Sequence, residues 1–241
     1  MGLSRSYPDW GVVPSSFIPA DIDNAELAAR LESPDAYRRE GRVVALTDFS
    51  PSTGGWTPVS NAYISAAKSY VGSSSMFLNG SFGDNCLLEK WLPGFTSSKI
   101  GLSFYGQINT WYTHYLYVQI QLVSLAWYRY ARIRADFDLF TLAFLNVVGG
   151  YTDFYANNDI RGLNRWINFK LIADFETRTY SRFYYNGEEC FAAIAPGVPI
   201  FSVAPGAAGI GMLMQIYAQS KLNPNGIDCY IDAPIVTIHE F

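Results

Sequence analysis

The sequence predicts an all-β fold: an antiparallel, jelly-roll-like β-sandwich over residues 41–241, preceded by an extended N-terminal arm and one short helix in residues 1–40. Three observations carry this. From Gly41 onward apolar and polar residues alternate with a period of two. Roughly a dozen such runs are separated by Gly, Pro, Asn and Ser turn signals. Aromatic residues make up 16% of the chain, including 17 Tyr, a composition that suits pleated, half-buried surfaces. No repeat of fixed period is visible, so a propeller or solenoid is not expected.

The elements follow in order. Residues 1–19 carry Pro8, Pro14 and Pro19 among Tyr7, Trp10 and Phe17. This is too apolar for a free tail and reads as an arm lying on its own domain or on a neighbour. In the helix, Asp23 caps, Glu26 completes a capping box, and Ser33-Pro34 stops it. "RVVALTDF" is the first strand and "SPSTGGWTPVS" its loop. "AYISAAKSYVGSSSMFLNG" reads as two short strands around a Gly-Ser turn, and Lys99–Ile108 as another strand. In Tyr112–Leu122 one face holds Tyr112, His114, Leu116, Val118, Ile120 and Leu122. The other holds Trp111, Thr113, Tyr115, Tyr117, Gln119 and Gln121. From Tyr128 to Asp138, Ile133, Ala135 and Phe137 oppose Tyr128, Tyr130, Arg132, Arg134, Asp136 and Asp138.

"WINFKLIADFETRTYSRFYYNGEECF" reads as a three-stranded meander. Ile167, Phe169, Leu171, Ala173 and Phe175 point to the core, and Asn186-Gly187 closes a type I′ hairpin. A Pro/Gly-rich loop follows, "APGVPIFSVAPGAAG". Two last strands, "IGMLMQIYAQ" and "CYIDAPIVTIHEF", end the chain. Pro234 lacks a ladder donor, so the last strand is expected at an edge or bulged there.

The meander's W-x-x-F-K-L-x-x-D opening (Trp166, Phe169, Lys170, Leu171, Asp174) resembles the second half of concanavalin A-like and laminin G-like jelly rolls. Cys229–Ile238 is similar to their closing strand as far as Asp232, then departs at Ala233-Pro234. Asp48-Phe49 with Trp56 resembles their opening strand. The resemblance covers about residues 41–240. It implies a lectin- or glucanase-type sandwich, and it carries no catalytic signature.

Composition narrows the functional classes. A net charge of −4, with no basic run longer than Arg38-Arg39, excludes a phosphate-tracking nucleic-acid surface. Nowhere do about 18 apolar residues run together, and the N-terminus lacks a secretory h-region. Neither a membrane partner nor conventional export is therefore expected; a virion or other extracellular assembly suits that pattern. Cys86, Cys190 and Cys229 form no CxxC pair and read as buried free thiols.

No catalytic residue is assigned. The paired glucanase carboxylates are absent; Asp136 and Asp138 share a face with Arg132 and Arg134 and read as cross-strand pairs on a wet face. Glu188 and Glu189 read as solvated, and His114 and His239 as structural. The Gly206–Gly211 run leads into a strand and cannot present a helix N-terminus to phosphate. No cofactor is expected; calcium is the one in view, with Asp153 and Asp159 beside Asn157 and Asn158 as an oxygen-rich loop, and plain turn chemistry is the favoured account of such a loop.

What remains is a recognition face: Trp111, Tyr115, Tyr117, Gln119, Gln121, Tyr128, Tyr130, Arg132 and Arg134. It suits glycan stacking, subunit contact, an ordinary solvent face or burial under the arm. The sequence favours a non-catalytic, self-associating structural protein, with Tyr7, Trp10 and Phe17 as arm contacts. The alternative is a carbohydrate-binding module, and a glycan-active hydrolase ranks last.

Overall fold

The computed structural model describes residues 42–50, 52–80, 85–93, 98–109, 114–125, 127–156, 164–190, 198–204, 210–220 and 227–238. The arm with Tyr7, Trp10 and Phe17, the helix expected after Asp23, Trp111, Asp159 and His239 lie outside them. The described residues form two antiparallel sheets and no helix. None therefore has a helix long and apolar enough to cross a membrane.

Among the described residues sixteen strands follow one another. They are β1 (Arg42–Leu46), β2 (Thr57–Ser60), β3 (Ala62–Ser65), β4 (Ser75–Gly80), β5 (Asn85–Pro93), β6 (Lys99–Ile108), β7 (His114–Val123) and β8 (Tyr128–Asp136). Then come β9 (Thr141–Leu145), β10 (Tyr151–Ala156), β11 (Trp166–Asp174), β12 (Thr179–Tyr185), β13 (Glu188–Glu189), β14 (Phe201–Val203), β15 (Gly211–Ser220) and β16 (Ile227–Ile238). Sheet A has the order β13-β12-β11-β6-β16-β4-β3, with β1 also on β16. Sheet B has the order β10-β9-β8-β7-β15-β5-β2, with β14 also on β8. The chain therefore passes repeatedly between sheets, as a jelly roll requires.

The core lies between the sheets. Sheet A contributes Met76, Leu78, Leu102, Phe104, Phe169 and Leu171; sheet B contributes Leu88, Leu116, Val118, Ile120, Ile133, Met212, Met214 and Ile216. Phe104 and Phe169 stack with centroids 5.1 Å apart. Ile167, Phe169, Leu171, Ala173 and Phe175 all join this core, as their alternation predicts. Asn186 and Gly187 take φ of 50° and 82°, the double positive pair of a type I′ turn. The three cysteines are buried and none is in a disulfide, and burial pushes the Cys190 thiol up to about 11.

The structure corrects several expectations. β5, "NCLLEKWLP", escaped the pattern altogether. Residues 57–60 and 201–203, read as loops, form β2 and β14. Of the two alternatives expected at Pro234, the bulge holds and the edge does not: β16 lies between β6 on one side and β4 and β1 on the other. Pro234 is tolerated because the register shifts between Asp232 and Ile235, with Ala233 at φ 45°. That bulge exchanges the faces. Cys229 and Ile231 point to the main core before it, and Val236 and Ile238 after it.

On the outer face of sheet A the bulge turns Ala233 and Ile235 into a second cluster with Leu46 and Tyr105. The β3–β4 loop lies over it: Tyr70 stacks on Tyr105 at 3.9 Å. Asp232, fully buried, accepts the Tyr70, Val71 and Ala233 backbone N–H groups at 2.7, 2.9 and 2.7 Å. Burial pushes its carboxyl up to about 7 despite those three donors. A raised carboxyl contributes stability that is present below its ordinary pKa and lost as pH rises through the folded value. Urea unfolding of the wild type and Asp232→Asn between about pH 4 and about pH 8 checks this. The wild type's advantage over the variant is expected to shrink across that range; a flat or growing difference contradicts it.

Candidate functional site

The outer face of sheet B is built from strands whose register aligns long polar side chains into rows. Arg132 of β8, Gln119 of β7, Gln215 of β15 and Glu89 of β5 are successive cross-strand partners. They are also hydrogen-bonded in that order. Arg132 Nε donates to Gln119 Oε1 at 2.5 Å. Gln119 Nε2 donates to Gln215 Oε1, and Gln215 Nε2 donates to Glu89 Oε2 at 3.1 Å. At the other end Arg132 Nη1 donates to the Tyr151 hydroxyl of β10 at 3.2 Å. One polar chain thus crosses the sheet from β10 to β5.

Aromatic rings flank this chain. Tyr117 and Tyr217, directly paired across β7 and β15, stack with centroids 4.2 Å apart and planes at 11°. The Tyr117 hydroxyl donates to Gln219 Oε1 at 3.1 Å. Arg132 lies 5.5 Å from the Tyr217 ring and 6.0 Å from that of Tyr130. Arg134 lies 4.6 Å from the Tyr115 ring and 4.4 Å from Tyr151. Tyr128 and Tyr130 meet edge to face at 6.5 Å. Trp91, exposed at the β5 end, lies against Gly211, where a Cβ would come within 2.8 Å of its ring.

Electrostatics follow from this packing. Burial pushes the Tyr117 and Tyr217 hydroxyls well above the ordinary tyrosine value, so both remain neutral donors. Burial also works against the charge of Arg132, but the oxygens of Tyr217, Tyr151 and Tyr117 outweigh it and hold that pKa above the usual arginine value.

Of the residues read from the sequence, Tyr115, Tyr117, Gln119, Gln121, Tyr128, Tyr130, Arg132 and Arg134 share this face. It is not a wet face of charge pairs. Gln119 is 1% exposed and Tyr117 5%. Asp136 is buried and accepts the Asp138 and Leu139 backbone N–H groups at 3.1 and 3.2 Å, stabilising its own turn. Arg134 instead approaches Asp153, Nη2 to Oδ1, at 3.8 Å. Asp153 lies in strand β10; Asn157, Asn158 and Asp159 lie outside the described residues. Glu188 and Glu189 are exposed in β13.

Sequence reasoning missed Tyr151, Gln215, Tyr217, Glu89 and Trp91. Gln215 and Tyr217 carried a signal, since they alternate with core residues Met214 and Ile216.

No family model and no curated protein matches the chain. Solved structures do. A carbohydrate esterase from the Shiga toxin-encoding bacteriophage phi24B aligns with TM-score 0.50 at 13% identity, over 81% of this chain and 99% of its own. The HCR/D-Sa-GBL1/C structure aligns with TM-score 0.50 at 14% identity, over 83% of this chain and 49% of its own. A xylan-binding domain from CBM 22 aligns with TM-score 0.42 at 14% identity, over 83% and 97%. At these identities the first two support the sandwich fold, consistent with the concanavalin A-like resemblance, and nothing finer.

The polar chain makes a stability prediction. Gln119→Leu strands Arg132 Nε and the Gln215 amide, costing about 1–3 kcal/mol in urea unfolding. Gln215→Leu is expected to cost less in that background than alone, because both changes remove the same bond.

Proposed function

We propose that the chain is a non-catalytic carbohydrate-binding jelly roll that holds a glycan across the outer face of sheet B. The observation that carries this is the parallel Tyr117–Tyr217 stack set beside the Arg132–Gln119–Gln215–Glu89 row. Sugars present flat C–H faces and rims of hydroxyls. Tyrosine rings supply apolar area to the first, and fixed amides and guanidinium groups supply directional partners to the second. The phage carbohydrate esterase of similar fold acts on carbohydrate, which fits this reading without assigning any residue here. Asp136 is committed to its turn, which disfavours a glucanase-type carboxylate pair on β8.

A glycan array followed by titration calorimetry tests the proposal. Tyr217→Ala is expected to weaken binding about tenfold, near 1.4 kcal/mol, with the fold retained. An array without binders, or a silent Tyr217→Ala, overturns it.

A second reading, a self-associating subunit of a virion or other extracellular assembly, has one observation in its favour. β2 and β3 end their respective sheets, and there Val59, Tyr63 and Ile64 are 50%, 52% and 37% exposed. Open strand edges with apolar side chains pair readily with a further chain. Light scattering distinguishes the readings: Tyr63→Lys is expected to dissociate an oligomer if this edge forms one, and a monomeric wild type removes the reading.

A further inference from the structure

The candidate face holds two guanidinium groups and little to neutralise them. Among the described residues, the Arg132 guanidinium bonds Gln119 Oε1 and the Tyr151 hydroxyl and lies near the rings of Tyr130 and Tyr217. Among the described residues it has no carboxylate at ion-pair distance, and its Nη2 makes no hydrogen bond. Arg134 rests on the Tyr115 and Tyr151 rings, and its Nε is buried without a hydrogen-bond partner. Among the described residues its carboxylate neighbour is Asp153, which stands at 3.8 Å and is 59% exposed, too far and too solvated to form a bidentate pair. Glu89 sits at the far end of the row behind two glutamines, and Asp136 faces its own turn.

Placing two arginines, two residues apart on one strand face, in a largely dry aromatic setting is costly unless an anion meets them. Their Cα atoms are about 7 Å apart along the strand. Tyr151 stands between them, bonded to one guanidinium and packed under the other. Neutral sugars would be served by the glutamines and tyrosines alone. The arginines add positive charge in a planar fork, which matches a carboxylate.

We infer that the glycan is acidic, and that Arg132 and Arg134 receive the carboxylate of a uronic or ulosonic acid residue while the Tyr117–Tyr217 stack carries an adjoining ring. This rests on the glycan-binding reading above.

The test uses the full chain against polygalacturonate, alginate and sialyllactose, with carboxyl-reduced polygalacturonate, lactose and xylan as neutral counterparts and dextran sulfate as the other anion. At least one carboxylated glycan is expected to bind at least tenfold more tightly than its neutral counterpart. Added salt is expected to narrow that margin. Arg134→Gln is expected to remove the margin while keeping residual binding to the neutral form. Arg132→Lys keeps the charge but loses the fork, and is expected to reduce the margin by at least threefold; urea unfolding of both variants verifies that they are folded. Equal affinity for acidic and neutral members, with Tyr217→Ala still disruptive, overturns the acidic assignment and leaves the glycan reading standing. Dextran sulfate binding as tightly as the best carboxylated glycan, with the same loss in Arg134→Gln, overturns the choice of carboxylate. No binding to any member overturns both proposals.

Discussion

A half-buried, hydrogen-bonded polar chain favours one register, and sheet B depends on that constraint. Arg132, Gln119, Gln215 and Glu89 come from β8, β7, β15 and β5, and their side chains connect only when those four strands are aligned as observed. Because side chains alternate with a period of two, a one-residue slip of β7 would carry Gln119 into the core and Ile120 onto the outer face. Two penalties would then act together: an amide without partners among apolar side chains, and Arg132 Nε without its acceptor. Hydrophobic burial alone specifies this sheet less sharply, since Val118, Ile120, Met214 and Ile216 are similar in volume and exchangeable in kind. The polar row supplies the specificity that the apolar face lacks.

Sheet A solves the corresponding problem with backbone donors in place of side-chain ones. Over the Leu46–Tyr105–Ala233–Ile235 cluster its outer face is covered by the β3–β4 loop, held by the Tyr70 and Val71 N–H groups on Asp232, which also accepts Ala233 N–H, and by the Tyr70–Tyr105 stack. The bulge at Ala233-Pro234 is what brings Asp232 and Ile235 to that side together. A regular strand would send them to opposite faces, leaving either the carboxylate in the main core or the cluster without Ile235. The departure of this stretch from the closing-strand pattern at Ala233 is therefore a structural device of this chain.

Legibility in the sequence follows from how many strands a feature spans. The β11–β12–β13 meander was readable because Ile167, Phe169, Leu171, Ala173 and Phe175 recur at every second position, with Ile172 alone breaking the opposite face, and Asn186-Gly187 leaves one turn type open. β5 was missed because Cys86-Leu87-Leu88 interrupts the alternation, with apolar side chains on both faces. Pro234, which removes a ladder donor, left two positions open for the last strand, an edge or a bulge; the register shift beside it shows the bulge, which makes a central position tolerable. For the candidate site, the half carried by β7 and β8 was readable, since those strands are neighbours in sequence and in space. Gln215 and Glu89 are separated by 126 positions along the chain yet hydrogen-bonded. No single-strand pattern contains that pairing; only the topology β8-β7-β15-β5 does.

The fold by itself leaves function open, because a β-sandwich serves binding modules, enzymes and assembly subunits alike. What separates these uses is how a face is finished. A solvent face is cheaply built from mobile charged side chains, whereas here each long side chain is fixed by a neighbour: Tyr117 by Tyr217 and Gln219, Arg132 by Gln119 and Tyr151, Arg134 by two rings. Fixing a side chain such as Arg costs roughly 2 kcal/mol of rotamer entropy, which the folded chain has already met before any ligand arrives. A ligand docking there orders little further, so its contact energy appears more fully as affinity. A face held rigid, aromatic and short of negative charge is poorly suited to remain merely wet, and well suited to meet a flat, hydroxylated, anionic partner.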